Sequence, residues 1–322
     1  METAPIRGLH HVTAIAGEPQ RNLDFYTEVL GMRLVKLTVN FDDPKTYHFY
    51  FGDEQGNPGT ILTFFPWEGV PRGRHGTGQA TVTAFSVPED SLEWWKSHLD
   101  AANISTGEIH SRFQERVLPF EDPDGMTLEL VAEPSSVLRE GWRSGSVPAE
   151  FAVRGLHSVT LTESSAMKTA ALLTETLGFS PLQSEGNRRR YGVEEGNGGA
   201  VLDIVEEPTA KPGNSGAGTV HHIAFRVDDD AAQEWRRKQL VEAGYPVSPV
   251  MDRTYFHSIY FREPGGVLFE IATDNPGFTT DESLENLGTT LRLPEQYERY
   301  RNEIEKTVKP LVLPVLSSRK GA

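Results

Sequence analysis

The sequence predicts an α+β protein of four βαβββ modules, paired into two cup-shaped open barrels. Module one joins module four, and module two joins module three. Three observations carry this prediction. The chain repeats itself: Arg7-Gly-Leu-His-His-Val-Thr13 returns as Arg154-Gly-Leu-His-Ser-Val-Thr160, Thr81-Val-Thr-Ala-Phe-Ser-Val87 parallels His221-His-Ile-Ala-Phe-Arg-Val227, and Pro123-Asp-Gly-Met-Thr-Leu-Glu129 parallels Pro264-Gly-Gly-Val-Leu-Phe-Glu270. Each copy alternates like a strand, turns helical, and then alternates again. Finally, the residues able to hold a metal gather in one cup only if the two ends of the chain meet.

The elements follow in order. Leu9 to Ile15 alternates apolar and polar residues, as a half-buried strand does. Pro19 to Leu30 reads as a helix stopped at Gly31, and Asp90 to Ala102 carries Leu92, Trp95 and Leu99 at helical spacing. Gly31, Gly178 and Gly244 each stand just past a helical stretch, where a left-handed cap suits glycine. Turns such as Asp-Glu-Gln-Gly-Asn-Pro-Gly and Glu-Pro-Gly-Gly separate the closing strands. The modules fall at about 7–67, 77–133, 154–206 and 218–273. This divides the chain into a first domain (1–136), a linker (137–153) overlapping the Ser-, Gly- and Pro-containing stretch 134–152, and a second domain (154–273). Pro208 to Gly218 is a loop between modules three and four. An extension, 274–322, carries a charged helical pattern from Pro294 to Val308 and is expected to cover a surface or a pocket mouth.

Composition narrows the function. In 322 residues there are 46 acidic and 31 basic side chains, a net charge of -15. That disfavours nucleic acid and anionic membranes, both of which need clustered Lys and Arg. No cysteine is present, so disulfides, thiolate nucleophiles and thiolate-bound zinc are excluded. A metal must be held by His, Asp or Glu. The N-terminus lacks a signal-peptide pattern and no apolar run is long enough to span a bilayer, so a cytoplasmic protein is expected. Homo-oligomerisation is left open.

The repeats also locate a site. Inward residues of a module's first and last strands can face one centre. Aligned on these positions, module one offers His11 and Phe64, module two Val82 and Glu129, module three Ser158 and Asp203, and module four His222 and Glu270. Pairing one with four collects His11, His222 and Glu270, with Phe64 at the fourth corner. The other cup then holds Val82, Glu129, Ser158 and Asp203, with no imidazole. Two imidazoles and a carboxylate on one side of a metal leave positions open, the arrangement of non-haem Fe(II) oxygen chemistry. Alternation alone would put one ring of each His-His pair on either face. A glutamate in the apolar strand Val-Leu-Phe-Glu-Ile-Ala needs a partner or a metal.

These residues closely resemble the vicinal-oxygen-chelate superfamily, and within it the ring-cleaving hydroquinone dioxygenases. The resemblance runs through Leu-His-His-Val-Thr (9–13), Tyr-His-Phe-Tyr-Phe-Gly-Asp-Glu (47–54), Pro-Gly-Thr (58–60), Ser-Leu-Glu-Trp-Trp (91–95), Glu-Gly-Asn-Arg (185–188), His-His-Ile-Ala-Phe (221–225), Pro-Gly-Gly-Val-Leu-Phe-Glu (264–270) and Gly-Phe-Thr (277–279). It implies Fe(II), with Mn(II) as a substitute, on His11, His222 and Glu270. It implies catalytic roles for His10, Thr13, His221, Arg253 and Tyr260, and a small aromatic substrate opened by O2 beside a hydroxyl-bearing carbon. Without it, Arg253 reads as a surface arginine in a turn and Tyr260 as a tyrosine of the barrel wall. Phe64, Phe65, Trp67 and Phe256 are expected to line the cup. Two other readings remain: a glyoxalase-like metal-dependent isomerase, which normally uses four protein ligands, and a binding protein without chemistry.

Overall fold

A computed structural model describes residues 4–193 and 199–314. Residues 1–3, residues 194–198 of the expected third module and residues 315–322 of the expected extension lie outside the described residues. In chain order the elements are β1 (Leu9–Ala16), α1 (Pro19–Asp24), β2 (Arg33–Val39), β3 (Tyr47–Gly52), β4 (Ile61–Pro66), β5 (Gln79–Val87), α2 (Leu92–Ala101), β6 (His110–Arg112), β7 (Glu115–Glu121) and β8 (Thr127–Ala132). They continue with β9 (Leu156–Glu163), α3 (Met167–Ala171), β10 (Ser180–Glu185), β11 (Arg188–Gly192), β12 (Val201–Glu206), β13 (Thr219–Val227), α4 (Asp230–Glu242), β14 (Met251–Asp252), β15 (Phe256–Arg262), β16 (Leu268–Pro276) and α5 (Arg301–Thr307).

The strands form two curled eight-stranded sheets among the described residues. One runs β14-β15-β16-β13-β1-β4-β3-β2 and the other β10-β11-β12-β9-β5-β8-β7-β6. The first and fourth βαβββ units therefore share one cup, and the second and third share the other. The seam of the first cup is the antiparallel pair β1–β13, flanked by the parallel pairs β1–β4 and β13–β16. The two ends of the chain meet there because β1 and β13 each bury an apolar outer face: Leu9, Val12, Ile223 and Phe225 are all essentially inaccessible to solvent.

The helices at the start of each half are not regular. In α1 a proline occupies the first turn and Glu18 accepts from the Arg21 amide at 2.7 Å. The helix then widens to a π turn over Phe25–Val29, and the Leu30 amide reaches the Phe25 carbonyl at 3.0 Å. The wider turn lets three consecutive residues, Phe25, Tyr26 and Thr27, all be buried. Helix α3 widens likewise over Leu172–Leu177. Gly31, Gly178 and Gly244 all take positive φ, at 66°, 80° and 89°.

The extension lies along the outer strand of the first cup. The Arg292 amide donates to the Leu37 carbonyl of β2 at 2.9 Å, satisfying part of an otherwise open edge. The expected helix over 294–308 is a 3-10 turn, Glu295–Tyr300, followed by α5. Tyr297 donates to the Phe41 carbonyl at 2.8 Å, so the extension ties down a loop of the pocket described below. No helix among the described residues is long and apolar enough to cross a membrane.

Two buried carboxyls lie where the sheets meet. Glu163 ends β9 in one sheet and Glu263 follows β15 in the other; they are 1% and 2% exposed. Glu263 accepts from Thr169 Oγ1 at 2.6 Å and from the Gly265 and Val267 amides, both at 2.8 Å. Burial and then the neighbouring Glu263 push Glu163 up to about 8 from its ordinary 4.5, so it keeps a proton. Below its unfolded pKa both states are protonated and this contribution to stability is complete. As pH rises toward about 8, the unfolded chain has lost a proton that the folded chain still holds, and stability falls. Urea midpoints should therefore drop between about pH 5.5 and pH 8.5, and Glu163→Gln should flatten that drop and leave the variant the more stable at the higher pH. Parallel pH profiles for the two proteins would refute a proton retained on Glu163.

Candidate metal centre

Two β-bulges build the centre. Along the seam, Leu9 faces Phe225 but His11 faces Ala224, so β1 has an extra residue at His10. Thr13 faces His222 but Ala14 faces Val220, so β13 has an extra residue at His221. A bulge breaks the alternation and turns neighbouring side chains to the same side. The rings of each His-His pair consequently meet instead of parting to opposite faces. His10 Nδ1 lies 2.9 Å from His11 Nδ1, and His221 Nδ1 lies 2.7 Å from His222 Nδ1.

The remaining nitrogens converge. His11 Nε2 and His222 Nε2 are 3.3 Å apart, and Glu270 Oε2 is 3.3 Å from the first and 2.9 Å from the second. Glu270 comes from β16, opposite Ala224 in the parallel ladder. It is fully buried; Ser258 Oγ donates to Oε1, while Oε2 has no hydrogen-bond partner among the described residues. Two imidazole nitrogens and an orphaned carboxylate oxygen within one coordination radius suit a divalent cation of the first transition row. The hydrogen bonds also suit the tautomers. His10 bonds the Thr273 backbone as well as His11, and burial pushes it well below its ordinary pKa. A neutral His10 that donates to Thr273 accepts the Nδ1 proton of His11, leaving the His11 Nε2 lone pair aimed at the centre.

The ladder corrects the fourth corner. Glu270 pairs with the residue two beyond His222; the corresponding partner of Thr13, two beyond His11, is Thr63. Phe64 points the other way, into the core, with its ring 4.6 Å from that of Tyr26. A one-residue slip reverses the face of a strand. Thr63 Oγ1 is already engaged by Thr13 Oγ1 at 2.8 Å and His48 Nε2 at 2.9 Å, so this corner offers no carboxylate.

The other cup is plugged by ion pairs. Arg112 holds Glu129 through both nitrogens, at 2.9 and 2.6 Å. Arg190 holds Asp203 at 2.8 and 3.1 Å and reaches Glu115 at 2.6 Å. Contrary to the expectation of no imidazole, His157 joins this network: Nε2 lies 3.0 Å from Glu115 and Nδ1 lies 3.0 Å from Ser158 Oγ. Guanidinium groups there neutralise the carboxylates that a cation would otherwise meet.

Above the trio opens a pocket of about 180 Å³, lined by His11, Asn40, Phe41, His48, Tyr50, Phe65, His221, His222, Arg253, Phe256, Tyr260 and Leu268. Arg253 Nε donates to Tyr260 Oη at 3.3 Å, and its Nη2 lies 3.4 Å from Asp42. Burial and the nearby Glu270 raise the Tyr260 phenol, which therefore keeps its proton. Burial and then His222 push His221 down to about 3. Burial and then His11 likewise hold His48 well below its ordinary value. In Glu270 burial favours protonation, but the imidazoles of His11 and His222 more than offset it and hold the carboxyl well below the usual range.

Of the sequence-predicted residues, His221, Arg253 and Tyr260 stand on the pocket wall. His10 and Thr13 lie behind it, His10 against Phe256 at 4.9 Å between ring centroids. Phe65 and Phe256 line the pocket as expected, while Trp67 stacks behind Phe65 at 5.6 Å. Sequence reasoning missed Asn40, Phe41, His48, Tyr50 and Leu268. His48 and Tyr50 share one face of Tyr-His-Phe-Tyr-Phe, and alternation along β3 was the signal for them.

Fold and site together define a protein of paired βαβββ cups with a His–His–Glu cluster at the base of one cup. The chain belongs to the Glyoxalase/Bleomycin resistance protein/Dioxygenase superfamily, whose model matches residues 8–130 and 155–271. It is 47% identical over 304 residues to the Bacillus subtilis protein named "Putative ring-cleaving dioxygenase MhqO", covering 94% of this chain and 96% of the relative. It is 37% identical over 315 residues to the chlorohydroquinone/hydroquinone 1,2-dioxygenase of Sphingobium indicum, covering 96% and 98%. Among solved structures, a Bacillus subtilis protein described as a "putative dioxygenase" superposes with a TM-score of 0.91 at 45% identity, covering 97% of this chain and 99% of that one. Glyoxalase I of Zea mays shares the fold, with a TM-score of 0.62 at 16% identity over 83% and 92% of the two chains.

Proposed function

We propose that this protein is an Fe(II)-dependent dioxygenase that opens a hydroquinone-type ring beside a hydroxyl-bearing carbon. The observation that carries the reading is the three-ligand cluster with a hydroxyl, Thr63, at its fourth corner. A metal held by His11, His222 and Glu270 keeps adjacent positions for a substrate oxygen and O2, whereas a fourth carboxylate would favour the isomerase pattern. The names of two relatives, a "Putative ring-cleaving dioxygenase" and a chlorohydroquinone/hydroquinone 1,2-dioxygenase, support the same class. The pocket size supports a single ring: a dry cavity of about 150 Å³ accommodates benzene, and this one is about 180 Å³.

Bound at the cluster, Fe(II) would supply the acidity that ionises a ring hydroxyl and the redox exchange with O2, with Mn(II) as a substitute. The chain supplies the rest. Phe41, Phe65, Phe256 and Leu268 exclude water and hold the ring. Arg253 and the protonated Tyr260 place a positive charge and an O–H donor where a ring oxygen would become anionic. His221 is neutral, and with its Nδ1 accepting from His222 its Nε2–H is left to donate to a ring oxygen. His10 fixes the ring of His11, and His221 that of His222.

The test is an oxygen electrode. Protein purified anaerobically and loaded with Fe(II) should consume O2 with hydroquinone and show no turnover of a methylglyoxal-glutathione adduct. Isomerisation of the adduct without O2 uptake would overturn the proposal, as would inactivity with hydroquinone and catechol alike.

A further inference from the structure

Among the described residues, one buried side-chain atom of the pocket wall has no partner and no role assigned above. His48 on β3 is 7% exposed and lines the pocket. Its ring lies between those of Tyr50 and Phe65, at centroid distances of 4.1 and 4.4 Å, so it has little freedom to turn. Nε2 is held by Thr63, which Thr13 holds in turn. Nδ1 is buried and has no hydrogen-bond partner among the described residues. A buried polar atom without a partner is costly, so a partner from a ligand would be gained at full value.

The position is informative. Within the first sheet β3 lies two strands from β1, beyond β4, and two strand spacings are roughly 10 Å. His48 therefore stands about one aromatic ring away from His11, on the side of the cup opposite β13 and β16. A ring with one hydroxyl at the cluster would carry its para oxygen toward β3. We propose that His48, oriented by Thr63, anchors the second hydroxyl of a para-diol and so selects hydroquinones over monophenols. A hydroxyl can donate to or accept from the same nitrogen, so the contact is available to either tautomer. This inference rests on the function proposed above and deepens it.

The experiment measures binding as well as turnover. Fe(II)-loaded protein, kept anaerobic, is titrated with hydroquinone and with phenol, which lacks the para oxygen. Wild type should bind hydroquinone the tighter. His48→Phe keeps a ring between Tyr50 and Phe65 but removes both nitrogens; it should weaken hydroquinone about tenfold and change phenol by less than about twofold. Thr63→Val, nearly isosteric, should shift the ratio in the same direction by a smaller factor and provides the test if His48→Phe does not fold. In air, KM for hydroquinone should rise more than kcat falls. An unchanged hydroquinone-to-phenol ratio in the variants, or no preference in wild type, would overturn the anchor. Preferential binding of hydroquinone without any O2 uptake would sink the dioxygenase reading and leave the anchor standing.

Discussion

Glu270→Gln is expected to lose the metal and to lower O2 consumption with hydroquinone by at least about a thousandfold, without unfolding the chain. The substitution keeps the shape of a side chain that is fully buried and can still accept from Ser258 at the Oε1 position. What it removes is the only negative charge in the trio. Two neutral imidazoles then face an amide, which can hydrogen-bond one of them but neutralises none of a divalent cation's charge. Metal-free wild type carries a buried carboxylate that accepts from Ser258 and whose desolvation is more than offset by the imidazoles 3.3 and 2.9 Å away. The metal-free variant should therefore still fold and melt cooperatively, at a somewhat lower temperature than metal-free wild type. The contrast appears when Fe(II) or Mn(II) is added: wild type should gain melting temperature with metal concentration, because the ion binds only the folded state, and Glu270→Gln should not. Iron content by elemental analysis gives an independent reading. A variant that kept wild-type iron would show that the carboxylate is not a ligand.

The cup that holds this cluster was legible from internal repetition. His11, His222 and Glu270 occupy matching places in the first and fourth copies, and only a join between the chain's ends brings them together. The β1–β13 seam makes that join. The errors within the cluster have one origin, the count of residues along a strand. Alternation cannot register an extra residue, so nothing in Leu-His-His-Val-Thr or Val-His-His-Ile-Ala announces the bulges at His10 and His221. The same uncertainty put Phe64 in the place of Thr63, one residue off and on the wrong face. In the helices, Pro19 and Gly31 mark the ends of the segment, but the π turn depends on burying Phe25, Tyr26 and Thr27 together, a tertiary demand that periodicity does not contain.

The second cup adds a physical contrast that sequence alone could not weigh. Glu129 and Glu270 sit at corresponding places in similar apolar strands. The difference is what faces them: the Arg112 guanidinium in one cup, two imidazoles and an empty hydrogen-bonding position in the other. Arg112 lies on β6 at the edge of its sheet, two strands from β8, so nothing within Glu129's own strand announces it. A buried carboxylate needs a cation; the fold supplies one covalently in the second cup, and the proposed metal would supply it in the first.

Lys36→Met should be the most destabilising of the substitutions considered, although Lys36 touches neither the cluster nor the pocket wall. Its side chain on β2 is wholly inaccessible to solvent. Nζ donates to Asp281 Oδ1 at 2.6 Å, to Glu282 and to the Phe278 carbonyl at 3.2 Å, and lies 4.7 Å from the centre of the Tyr255 ring. Three of these partners come from the extension and the fourth, Tyr255, immediately precedes β15, so one ammonium group pins that strap to the first cup. Methionine keeps the aliphatic stem and removes the charge, leaving Glu282, whose side chain is 4% exposed, without its cation. Breaking a buried pair in this way costs about 3–5 kcal/mol, a fall in melting midpoint of roughly 10 °C for a chain of this size. Adding Glu282→Gln should restore part of the loss, because the stranded charge goes with it. The effect should also reach the site. Phe278 packs on Tyr50 at 5.2 Å and on Tyr255 at 5.0 Å between ring centroids, and Tyr50 lines the pocket, so a loosened strap should raise KM for hydroquinone and admit protease beyond residue 277. A midpoint within 2 °C of wild type, with the strap still protected from protease, would mean that packing around Phe278 holds the extension and that the ammonium contributes little.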